Sequence, residues 1–159
     1  MALTSGMLGF IRPTYKHHSV LDIPLKTIKK YDLILVDVDN TVATPETMIM
    51  ESEILEWLLK CPVRVVLLSN SPNMSWRKSA FDELGLESFV GSCKKPCKTL
   101  FHEVVEKYGK HKTLMIGDRL FTDILFARNS GIDSVLVTAE HKDPQWYIRL
   151  SRLVEWFIG

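Results

Sequence analysis

Cysteine is scarce. The chain of 159 residues has three, Cys61, Cys93 and Cys97, an odd and sparse set that argues against a secreted disulfide framework. The stretch Cys93-Lys94-Lys95-Pro96-Cys97, with His102 downstream, has the outline of a metal knuckle. Zinc needs four well-spaced ligands and the neighbourhood offers no convincing fourth, so reduced, structural thiols are expected. A dominant charge is missing too: 20 Lys and Arg against 19 Asp and Glu leave +1. No global basic field points to nucleic acid, and an anionic partner must be recognised locally. No run approaches the ~18 apolar residues of a membrane span, and Arg12 and Pro13 interrupt "MLGFI" before it can read as a signal peptide. The expectation is a cytoplasmic protein, with peripheral contact at a membrane surface left open.

What remains is ordinary globular composition, 46% hydrophobic and 25% charged, in a length that suits one domain with a substantial core. Four apolar segments stand out: "YDLILVDVDNT" (31–41), "VRVVLLSN" (63–70), "HKTLMIGD" (111–118) and "DSVLVTAE" (133–140). Their hydrophobicity is continuous rather than alternating, which predicts parallel strands buried on both faces. Helical patterns fall between them over 51–60, 74–85, 98–109 and 121–131, the last three running up to a glycine. Strand and helix alternating in this way predict a doubly wound, Rossmann-like α/β sheet. The expected core covers about 31–140, with an N-terminal extension over 1–30. A C-terminal amphipathic helix is expected over 144–158, with Trp146, Leu150, Leu153 and Phe157 on one stripe and Arg149 and Arg152 beside it.

Doubly wound sheets bind ligands beyond the carboxyl ends of their strands. The polar residues of this chain gather there: Asp37 and Asp39, Ser69 and Asn70, Asp118, with Lys94 and Lys95 in a loop ahead of a helix. Residues two apart on an extended strand point the same way, so Asp37 and Asp39 are candidates for one site unless the strand is already curling into a turn. Two carboxylates so close need a neutralising cation, and an all-oxygen site suits Mg2+. Asp118 and Asp123 fall where such an ion would need them. A carboxylate in this setting can attack phosphorus, Ser69 and the turn amides can donate to phosphate oxygens, and a second aspartate can serve as acid and base. Thr41 reads as a turn-stabilising hydroxyl, and His17 and His18 as solvated. Asp123 has a competing structural reading, since an acid in a first helical turn is favoured by the dipole alone.

"DVDNT" (37–41), "LLSN" (67–70), "KKP" (94–96) and "GDRLFTD" (117–123) resemble, in order, the four motifs of the haloacid dehalogenase (HAD) superfamily of phosphatases. The resemblance spans about 33–138. It implies that Asp37 is the nucleophile and a metal ligand, and that Asp39 is the acid/base with its main-chain carbonyl on the metal. It further implies that Ser69 binds phosphate with Asn70 shaping the turn, that Lys95 stabilises the phospho-enzyme, and that Asp118 is the third protein ligand to Mg2+. Asp123 would support the metal site or Lys95. Lys94 competes for the lysine role but fits its position less well.

Many relatives in that superfamily cover the site with an inserted cap domain. Residues 40–68 lie between Asp39 and Ser69, and 70–94 between Ser69 and Lys95. Once a crossover helix is counted, neither interval holds a cap. An uncapped site needs a bulky substrate, or a second subunit, to exclude water; the oligomeric state is left open. Within the capless branch (subfamily IIIA) the chain is similar to the YqeG-like proteins and their mitochondrial relatives, the phosphatidylglycerophosphate phosphatases. That likeness implies a lipid phosphate monoester as substrate, with Arg12, Lys16, Arg149 and Arg152 meeting anionic headgroups and Trp146 and Tyr147 at the interface. Two other readings stand beside it: a capless phosphatase for a nucleic-acid end, phosphoprotein or sugar phosphate, and a non-catalytic binding module.

Overall fold

The structure is a computed structural model that describes residues 11–45, 49–72 and 74–138, with residues 74–76 described by their backbone alone. The expected helix over 144–158 lies outside the described residues. Six strands form one sheet: β1 (Tyr15–His17), β2 (Leu33–Val36), β3 (Arg64–Leu68), β4 (Ser88–Phe89), β5 (Thr113–Gly117) and β6 (Asp133–Val137). Their order is β1-β6-β5-β2-β3-β4, and every pairing is parallel.

The apolar runs are continuous because both sheet faces are covered. On β2, Ile34 and Val36 point toward helices α1 (Leu25–Ile28), α2 (Ser52–Lys60) and α3 (Met74–Glu83), packing with Ile28, Ile54, Leu58 and Phe81. Leu33 and Leu35 point the other way, toward α4 (Lys98–Tyr108) and α5 (Leu125–Ser130), where Leu100, Val104, Tyr108, Phe126 and Ala127 meet them. The buried residues of α4 recur every four positions, one stripe of a 3.6-residue period. The helix ends at Gly109, whose φ of 88° is open to glycine and costly to other residues.

From β2 the chain winds outward to β3 and β4, then returns to the opposite side of β2 and winds outward again through β5 and β6. Winding direction reverses between β2 and β5. At such a switch point the loops leaving neighbouring strands diverge and open a crevice at the carboxyl edge.

Two strands go beyond the four expected. β4 is two residues long, and β1 lies within the stretch read as an extension. Residues 15–17 pair with β6, and Thr14 ties the segment down through its hydroxyl, which donates to Asp133 Oδ1 (3.2 Å) and accepts from the Ser134 amide (3.1 Å). The expected helix over 121–131 also differs at its start, where a π turn (Leu120–Ile124) precedes α5. Among the described residues no helix is long and apolar enough to cross a membrane.

Candidate active site

Strand β2 delivers Asp37 into the crevice. The Asp37 amide still bonds to the Ile116 carbonyl at 2.9 Å, so the ladder with β5 fixes where the side chain emerges. The backbone then curls. The Val38 carbonyl accepts from the amides of Thr41, Val42 and Ala43 (3.3, 3.1 and 3.0 Å), and Asn40 takes a φ of 61°, a left-handed position that asparagine tolerates. The two aspartates therefore go to different partners.

Asp37 turns inward. Its Oδ1 accepts from Lys95 Nζ at 2.5 Å and its Oδ2 from Thr41 Oγ1 at 3.5 Å. Lys95 Nζ also donates to Asp123 Oδ1 at 2.6 Å. Lys95 is 4% exposed and Asp123 fully buried, so this ammonium between two carboxylates is shielded from water. Asp118 completes the cluster from the end of β5: carboxylate oxygens of Asp37, Asp118 and Asp123 all lie within 4.8 Å of one another.

Asp39 turns sideways. Its Oδ1 accepts from Arg77 Nη1 at 2.8 Å and its Oδ2 from Ser69 Oγ at 3.2 Å. Ser69 Oγ accepts in turn from the Ser71 amide at 3.0 Å. The carboxamide of Asn70 clamps the lysine loop from below, donating to the Lys95 carbonyl at 2.9 Å and accepting from the Lys95 amide at 2.8 Å. The four separate motifs thus meet at one edge of the sheet.

Known proteins give the same picture. A family model for HAD-hydrolase-like proteins matches residues 92–153, a span that holds Lys95, Asp118 and Asp123. The chain is also similar to the Bacillus subtilis (strain 168) protein named "Probable phosphatase YqeG", at 28% identity over 128 residues, covering 77% of this chain and 73% of that one. The chain is thus similar to HAD-like hydrolases over the span that holds three of the clustered residues, and to a probable phosphatase over most of its length.

Burial shapes the electrostatics of this HAD-like site. It drives the Asp37 carboxyl up to about 7, against the pull of Lys95 and with help from Asp123 and Asp118. Asp118 is pushed up to about 6, first by burial and then by the charge of Asp123. Burial alone would disfavour the Lys95 cation, but the two carboxylates outweigh it and hold its pKa above the usual lysine value. Asp118 Oδ1 is buried without a hydrogen-bond partner. An orphaned acceptor of this kind is costly in an apolar setting. Beside two further carboxylates it fits a hard divalent cation held by oxygens.

Sequence reasoning missed two contributors. Gly117 ends β5 where the backbone passes Asp123; an added Cβ would lie 2.3 Å from Asp123 Cγ. The glycine lets the π turn close over the strand end, where the Arg119 amide donates to Asp123 Oδ2 at 3.1 Å. Arg77 is 4% exposed. It sits four residues before the buried Phe81 on α3, on the same helix face, and that spacing was the available signal.

Proposed function

We propose that this phosphatase is Mg2+-dependent, works through an aspartyl-phosphate on Asp37, and removes the terminal phosphate of phosphatidylglycerophosphate to give phosphatidylglycerol. The observation that carries the chemistry is the buried Lys95–Asp37 contact at the switch point, with Asp118 and Asp123 beside it. Asp37 and Asp118, with the main-chain carbonyl of Asp39, would hold the ion. When bound it supplies positive charge that screens the anionic nucleophile from the anionic substrate.

The chain's own residues do the rest. Lys95 engages Asp37 Oδ1 and leaves Oδ2, with only the long Thr41 contact, as the less encumbered oxygen for attack on phosphorus. As the Asp37–phosphorus bond forms and the bond to the leaving oxygen breaks, Asp39 gives its proton to the departing alkoxide. Ser69 turns its hydroxyl to the phosphoryl oxygens, and Asn70 keeps Lys95 in place through the main chain. Asp39 then takes a proton from water, which attacks phosphorus and releases Asp37 and inorganic phosphate.

The lipid assignment rests on the rim. Among the described residues, the intervals from Asp39 to Ser69 and from Ser69 to Lys95 hold the sheet's own helices and strands and no inserted domain. The mouth is flanked by exposed Lys94 and Arg119. Ile49 (65% exposed) and Val90 (52%) also stand at that carboxyl edge. Cations beside exposed aliphatic groups suit an anionic membrane surface. Arg12 and Lys16 are exposed as well, whereas Trp146, Tyr147, Arg149 and Arg152 lie outside the described residues. The test is phosphate release with Mg2+ from vesicles containing phosphatidylglycerophosphate, against soluble sugar, nucleotide and protein phosphomonoesters, with Asp37→Asn as control. Vesicles should be preferred at least a hundredfold in kcat/KM. A preference for a soluble ester refutes the lipid assignment, and full activity of Asp37→Asn refutes the mechanism.

A further inference from the structure

Arg77 has no place in the scheme so far, yet it is the most thoroughly buried arginine among the described residues. Its guanidinium meets Asp39 Oδ1 at 2.8 Å, and its Nε is buried without a partner. Burying a guanidinium is expensive unless it is paired, so the position asks what the pairing achieves.

Asp39 has two side-chain anchors, Arg77 on Oδ1 and Ser69 on Oδ2. They differ in what turnover asks of them. Ser69 lies at the crevice, only partly buried, and its hydroxyl is the group that must turn to the phosphoryl oxygens. When it does, Asp39 loses one anchor at the moment its aim matters. Arg77, on α3, is 4% exposed and has no such second task in the scheme, so its contact with Asp39 can persist.

We infer that Arg77 is the positioning residue for Asp39, the buried anchor that keeps this carboxyl aimed at the leaving oxygen and then at the attacking water. The inference rests on the reading of Asp39 as the acid/base. It has a specific consequence for substrates. A leaving oxygen that departs as a stable anion needs little help from an acid, whereas an alkoxide must receive a proton as its bond to phosphorus breaks. Loss of Arg77 therefore costs most with alkyl phosphates. The second step needs Asp39 as a base whatever the leaving group was, so the phospho-enzyme should persist.

The test compares Arg77→Met and Arg77→Lys with wild type on p-nitrophenyl phosphate and on glycerol phosphate, with rapid-mixing measurement of the first turnover. Positioning of an acid/base group is worth on the order of 10²–10³. Arg77→Met should lose about that factor in kcat on glycerol phosphate with KM within threefold of wild type. On p-nitrophenyl phosphate it should release a burst of about one equivalent per enzyme before slow turnover, and Arg77→Lys should recover part of the loss. Each variant is made again in an Asp39→Asn background, where removing Arg77 should cost less than threefold because its target is gone. Equal losses on both substrates with no burst, wild-type turnover, or full additivity with Asp39→Asn would overturn the inference. Should Arg77→Met not fold, Arg77→Lys carries the same comparison, and its additivity with Asp39→Asn decides. Activity in Asp37→Asn would instead sink the phosphatase mechanism on which the inference stands.

Discussion

Asp118→Asn should make the metal-free protein more stable while destroying its response to Mg2+. Asp118 loses a proton at about pH 6 in the folded chain, against an ordinary value of 3.8. Below about pH 4 the carboxyl is protonated in both states and its burial costs little. Between pH 4 and 6 the folded chain holds a proton that the unfolded chain gives up, so stability falls as pH rises. Above pH 6 both forms are ionised and the penalty is complete. At 1.36 kcal/mol per pH unit the gap corresponds to about 3 kcal/mol. A neutral amide avoids that penalty, and its NH2 can donate to the carboxylates of Asp37 or Asp123 nearby.

The assay is urea unfolding in the presence of a chelator at pH 4.5, 6 and 8, repeated with saturating Mg2+. The gain from Asp118→Asn should be about 1 kcal/mol at pH 4.5 and about 2–3 kcal/mol at pH 8. Wild type should recover about 2.7 kcal/mol when the free ion is a hundredfold above its dissociation constant, and the variant almost none, so the ranking of the two proteins reverses on adding Mg2+. A variant that is less stable than wild type at pH 8 without metal, or that keeps a full Mg2+ response, refutes the reasoning that Asp118 is a buried charge kept for an ion.

Two further outcomes follow from the same cluster. Lys95→Met leaves Asp37, Asp118 and Asp123 together with no cation, and should cost about 3–5 kcal/mol at pH 8; the loss should shrink toward pH 5 as the carboxyls take up protons, and phosphatase activity should fall to background. Gly117→Ala drives a methyl into Asp123, and should cost about 1–3 kcal/mol in a melting assay. It should lower kcat more than a Gly131→Ala control, where the new methyl meets nothing within 4 Å although that residue's positive φ also strains the backbone.

The central fold was legible because β2, β3, β5 and β6 are buried on both faces and leave uninterrupted aliphatic runs. β1 and β4 leave no such trace. A strand of two residues carries no period, and β1 alternates partly exposed and exposed positions at a sheet edge. The gathering of the candidate residues at one sheet edge could be read at the level of motifs, since each motif stands at the carboxyl end of a strand or the start of a helix. Their side-chain directions could not. Counting by twos from Asp37 puts Asp39 on the same side, but the strand ends at Val36 and the turn after Val38 sends Asp39 to Ser69 and Arg77. The acidic side chain that joins Asp37 and Asp118 is instead Asp123, brought in by a π turn. One extra residue per turn at that point is a tertiary accommodation of Gly117 and Lys95, with no local sequence signature.

Charge balance ties the observations together. With all groups ionised, Asp37, Asp118 and Asp123 against Lys95 leave two negative charges in a nearly dry pocket. With Asp39 ionised, as it is between its two proton transfers, Arg77 and Asp39 form a neutral pair of their own. The deficit is thus two charges, localised on the side where Asp118 Oδ1 has no partner, and a single divalent cation cancels it. A monovalent ion would leave Asp37 in a residual negative field that repels any anionic substrate. With the inner pocket neutral, a phosphate dianion meets no net repulsion at Asp37, and its own two charges must be met at the rim. Lys94 and Arg119 are the exposed cations placed there. Binding should therefore weaken with salt while the chemical step does not, because the buried groups lie beyond the reach of ionic screening and the rim groups do not.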